Sequence, residues 1–131
     1  MCSGLRSNRL TVLSRLAPIL LLLLVAITPL HIDATKVRYG NVSQFDPARN
    51  DKVGVVDSKE VYTHIPSYKR IVDEKIEKGS AKYTKLMMEA TATYRKSIFK
   101  IGNSHYVLIV EKGGVTDYPV TNVTEQCIEA L

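Results

Sequence analysis

Two apolar stripes at helical spacing, separated by a glycine-serine step, constrain this chain more than any other feature in it. Tyr68, Ile71, Val72 and Ile76 recur at i, i+3, i+4 and i+8, and Tyr83, Met87, Ala90, Tyr94, Ile98 and Ile101 follow at intervals of 4, 3, 4, 4 and 3. Such spacing puts each set on one side of a helix, and the second set approaches the heptad seam along which helices pack. Gly79-Ser80 lies between them, and glycine just past a helix end is a common stop because left-handed angles cost it nothing. The spacing predicts an antiparallel helical hairpin over 58–102, with arms 58–79 and 80–102 each roughly 30 Å long. One continuous helix through Gly79 is the competing arrangement.

The flanking segments read as strands. Lys52 to Asp57 carries Val53 and Val55 on one face and Val56 on the other. Asp57-Ser58 then caps a short helix, Lys59–His64. The residue before a proline avoids helical angles, so the axis bends at Ile65, and Pro66 suits the first turn of the next helix. Gly102-Asn103 is expected to end the hairpin. Tyr106–Val110 reads as a strand, Glu111-Lys-Gly-Gly114 as a turn and Val115–Val120 as the returning strand of a β-hairpin, with Pro119 at its edge or end. Asn122-Val-Thr-Glu125 has capping-box spacing ahead of a short amphipathic helix bearing Val123, Cys127, Ile128 and Leu131. The fold class is therefore α+β: a small β-body (one strand plus a C-terminal β-hairpin), a protruding helical hairpin and a short C-terminal helix.

The N-terminus is a different kind of sequence. Arg6, Arg9 and Arg15 precede an apolar run from Leu16 to Leu30. That run is short of the roughly 20 residues a spanning helix needs, and a basic start with a short apolar centre marks a signal peptide over 1–34. Ala34 is small enough to precede the cut; an uncleaved N-terminal anchor is the alternative. Residues 35–51, polar and without a period, read as a linker or extended arm. The remaining 97 residues hold one cysteine, so no internal disulfide forms within them, and a chain that short gains stability from association. Cys127 is either a buried small hydrophobe or a thiol joining subunits.

Charge is concentrated. Residues 67–100 hold nine cations (Lys69, Arg70, Lys75, Lys78, Lys82, Lys85, Arg95, Lys96 and Lys100) against four acids. These nine are either a solvated outer face or a surface that steers acidic polypeptides, anionic lipid or lipopolysaccharide towards it. Catalytic and metal constellations are not expected. His31, His64 and His105 are far apart in sequence, and no phosphate-loop or dinucleotide-binding glycine pattern follows the strand that ends at Asp57. No metal and no cofactor are expected, and export with no RNA-binding aromatic pattern argues against nucleic acid.

In order and motif the chain resembles the Skp (OmpH) family of periplasmic chaperones. Lys52-Val-Gly-Val-Val-Asp57 matches its opening strand, and Ile65-Pro-Ser-Tyr68 its proline step. Leu108-Ile-Val-Glu-Lys-Gly-Gly-Val115 with Tyr118 matches its strand-turn-strand, and Asn122-Val-Thr124, Cys127-Ile128 and Leu131 its C-terminus. The resemblance covers 52–131. It implies a periplasmic homotrimer whose β-body is built around Val53, Val55, Leu108, Val110 and Val115. Its basic hairpins would hold unfolded outer-membrane or other exported proteins, without enzymatic activity. Family arms are well over twice as long, which leaves open a non-enzymatic assembly subunit of a secretion or conjugation machine.

Overall fold

The computed structural model describes residues 29–131; positions 16–28 of the apolar run and the basic residues before it lie outside the described residues. Among the described residues the fold is mixed α+β, with four α-helices and small sheets. The strands are β1 (His31–Ile32), β2 (Val37–Tyr39), β3 (Val53–Val56), β4 (Leu108–Glu111), β5 (Val115–Thr116) and β6 (Thr121–Asn122). The helices are α1 (Ser58–Thr63), α2 (Pro66–Asp73), α3 (Ala81–His105) and α4 (Thr124–Glu129).

The valine run at 53 becomes one of the two inner strands of a four-stranded sheet ordered β2-β4-β3-β6. It lies parallel to β4, with Val53 opposite Leu108 and Val55 opposite Val110, and parallel to β6, with Gly54 opposite Thr121. Parallel neighbours need a long crossover, and α1, α2 and α3 supply the one between β3 and β4. At its start the Asp57 side chain accepts the Glu60 N–H at 3.2 Å, so the aspartate at the strand's end is a helix cap. Ile65 is extended (φ −85°, ψ 124°) and Pro66 opens α2, as the proline rule requires.

The expected β-hairpin does not form. Both sides of β4 are taken, by β3 and by antiparallel β2, so the chain after β4 has no edge to return along. Gly113, at φ 84°, turns it away and β5 pairs with β1 instead. Gly102 does not end the helix either. It sits buried inside α3, where a Cβ would strike the Tyr39 ring, and α3 continues to His105. In α4 the cap is Val123 rather than Asn122, whose Oδ1 accepts the Thr124 N–H at 3.0 Å from one position earlier.

The two faces of the sheet are closed differently. On the helical face Val56 and Ile109 join Val61, Ile65, Ala90, Tyr94, Ile98, Val123 and Cys127 in the main core. On the other face Val53, Leu108 and Val110 lie under Ile32, Val37, Phe45, Val115 and Tyr118. Half of that cover, Ile32, Val37 and Phe45, comes from residues read as a signal end and a linker, and Val107 completes the rest. The 35–51 arm is in fact part of the folded body, and so is β1, because an apolar sheet face left bare at Val53, Leu108 and Val110 has to be covered by something. A cut after Ala34 would remove β1. No described helix is long and apolar enough to cross a membrane.

Candidate functional site

The basic hairpin forms, but with unequal arms. The first breaks at Ile65 and its main helix ends at Asp73, six residues before Gly79. The stop is built from hydrogen bonds: Ile76 N–H donates to Ile71 O at 3.1 Å and Lys75 N–H to Val72 O at 3.3 Å, with Lys75 in the left-handed region at φ 49°. That is a Schellman closure with a lysine where glycine usually stands. Gly79 (φ 88°) then reverses the chain, and Ser80 caps α3 by accepting the Tyr83 N–H at 3.1 Å. A helix running through Gly79 is thereby excluded.

α3 has 25 residues against 8 in α2. From Ala90 onwards its apolar side belongs to the main core. Only its first nine residues, roughly 14 Å of helix, extend beyond the body with α2 alongside. The protrusion is therefore about half the expected arm, because the rest of the stripe is spent on the sheet. Tyr94 and Ile98 are buried as the stripe predicts, whereas Val72, assigned to the first stripe, is 57% exposed.

All nine predicted cations are exposed. Glu74 holds two of them, Lys82 through Nζ at 2.6 Å and Arg70 through Nε at 3.4 Å. These hydrogen bonds, Lys82's first, hold the Glu74 carboxyl below its ordinary value and tie the end of α2 to the start of α3. The other seven, Lys69, Lys75, Lys78, Lys85, Arg95, Lys96 and Lys100, form no ion pair among the described residues. Between them stand apolar side chains that belong to neither stripe: Met88, 69% exposed, and Phe99, 62% exposed. Tyr83, Met87 and Met88 line an open groove along α3 that ends at Arg95. The signal was in the sequence, since Met88 and Phe99 fall at positions that ought to be polar.

No known protein family, curated protein or solved structure matches this chain. The assignment of a role therefore rests on the chemistry of its own surface.

A second cluster is structural. Glu111, at the end of β4, accepts the Ser58 N–H at 2.9 Å and Arg38 Nε at 3.2 Å, and also meets the Ser58 hydroxyl, which contacts the Tyr94 hydroxyl. Burial pushes the Tyr94 phenol up, with the Ser58 hydrogen bond opposing it. Four elements are thus tied by one carboxylate. Cys127 is fully buried, and that burial raises its thiol, so it is a packed small side chain and not an exposed crosslinking group. Three of the predicted oligomer-core residues, Val53 (2% exposed), Leu108 (0%) and Val110 (0%), are closed inside the single chain, while Val55 and Val115 are half-buried. No cluster of three potential metal ligands occurs among the described residues.

Proposed function

We propose that this protein is an exported, non-enzymatic holdase of the Skp type that grips short exposed segments of unfolded envelope proteins. The observation that carries the reading is the mixed surface of the hairpin: seven exposed cations that form no ion pair among the described residues, interleaved with exposed Val72, Met88 and Phe99. Free cations attract acidic polypeptide from a distance, and this attraction weakens with salt. The apolar side chains between them take up apolar client residues once contact is made. Anionic lipid or lipopolysaccharide would be attracted by the same charges.

The short projection favours gripping over enclosure, and it also supports the second reading, an assembly subunit docked on one fixed partner of an envelope machine. A homotrimer of the kind the resemblance implies has to be built without Val53, Leu108 and Val110, or with their cover moved aside. The test is suppression of aggregation of an unfolded outer-membrane protein. Suppression should weaken as salt rises and should fall several-fold in a variant with Lys75, Lys78, Lys82 and Lys85 changed to glutamine, while the helical content is kept. No suppression, together with one stable partner recovered from envelope extracts, would favour the assembly subunit.

A further inference from the structure

The cover on the second sheet face has an unusual property: it buries others without being buried. No residue from 31 to 51 is buried, although Ile32, Val37 and Phe45 complete the shell around Val53, Leu108 and Val110. The segment is held by partly exposed contacts: Arg38 Nε meets Glu111 at 3.2 Å, the Tyr39 ring lies on Gly102 and edge-on to Phe99 at 5.9 Å, and the Tyr118 hydroxyl donates to Asp51 O at 2.6 Å. β2 contributes three residues at the sheet edge, with a register shift between Val37 and Tyr39. β1 contributes two, helped by the Asp33 N–H to Gly114 O bond at 2.9 Å, and Phe45 meets Tyr118 edge-on at 5.0 Å. Segments with few buried contacts open at far lower cost than the core.

We propose that residues 31–51 are an exchangeable strap. Closed on its own chain it gives a monomer; opened at the 46–52 turn, it closes on the same surface of a second copy and joins the two through traded β2 strands. The occupant of the opened surface is a second copy because that surface is shaped for β2, and another copy carries the identical β2. Each strand pairing that opens within one chain re-forms between the two, which is why exchange of an identical element is a low-cost route to association. The turn supplies a hinge. Asn50 is held left-handed at φ 55°, ψ 39°, and the Arg49–Asp51 ion pair at 2.9 Å closes the loop around it. An extended connection would release that conformation. The inference is independent of the holdase reading, since it is read out by chain association and not by client binding.

The test uses the full chain in detergent micelles, in a Cys2→Ser background, with Val37→Cys and Val110→Cys, which are direct partners across the β2–β4 ladder. The double variant, dilute and oxidised, should yield a crosslinked single chain. An equal mixture of the two single variants, held concentrated and then oxidised, should yield species joining one chain of each kind. Asn50→Ala should raise the yield of the joined species roughly fivefold, since a left-handed alanine disfavours the closed turn by about that factor. A mixture that stays uncrosslinked while the double variant oxidises fully overturns the proposal. Should the cysteine variants lose their circular-dichroism signal, native mass spectrometry of the unmodified chain decides instead. Masses of joined chains that increase with concentration and with Asn50→Ala support exchange, and single chains alone under every condition overturn it.

Discussion

One carboxylate, Glu111, does more for this fold than its place at the start of a glycine turn suggests. It closes the N-terminus of α1 by taking the Ser58 N–H, and it draws in Arg38 from β2 across 73 positions of sequence. Replacing it with alanine leaves the Ser58 backbone donor and hydroxyl half-buried without their acceptor. The expected cost is about 1–3 kcal/mol, the range for stranding a buried polar group. In Tyr94→Phe the Ser58 N–H and hydroxyl both keep Glu111 as acceptor, so that change should cost less than Glu111→Ala. Urea unfolding of the two variants checks both the size and the order. The Asp57 cap was legible in the sequence because its partner is three residues away. The Glu111 partners were not, because a contact between residues 53 or 73 positions apart leaves no local spacing to read.

Among elements, the helical hairpin was the most legible and the sheet the least. Helical stripes repeat over many residues, so errors at single positions such as Val72 do not hide them. Strands of two to four residues carry too few positions for a period, and their partners depend on which edges remain free. Glycine misled in both directions. Gly102 sits inside a helix to let Tyr39 approach, while a lysine, Lys75, takes the left-handed position that ends α2. What then fixes the tip is Glu74. Its carboxyl lies below the ordinary 4.5 because the Lys82 and Arg70 hydrogen bonds favour the ionised form. A lowered folded value means the tie is fully present above 4.5 and is lost as pH falls through the folded value. A carboxyl titration followed by NMR should therefore give a Glu74 midpoint under 4.5, moving back towards 4.5 in Lys82→Ala. Hydrogen-exchange protection over residues 76–85, measured against the intrinsic rate at each pH, should fall in the same acid range. A midpoint unmoved by Lys82→Ala would mean that the tip is held by its turns alone.

For the molecule as a whole, the question is where the folded body begins. The charge pattern and the stripes place its centre at 52–131, yet the sheet is finished only by residues upstream of 52. Those residues were illegible for a physical reason. They are half-exposed, short and mostly polar, and they matter only because a face elsewhere needs cover. This makes the position of any cut consequential. A chain starting at residue 35 lacks Ile32, whose half-burial against Val53, Leu108 and Val110 is worth about 1 kcal/mol. It also lacks the Asp33 N–H to Gly114 O bond, worth about another 1 kcal/mol. A chain starting at residue 29 keeps both. Domains of this size lose roughly 4–8 °C of melting temperature per kcal/mol, so the shorter chain should melt on the order of 10 °C lower by calorimetry. Its β2 strand, deprived of the β1–β5 clasp beside it, should also exchange amide protons faster than in the longer chain. Equal melting temperatures would mean that β1 adds nothing and that a cut after Ala34 leaves the body whole. A deficit of the expected size would mean that any cut compatible with this fold lies ahead of His31.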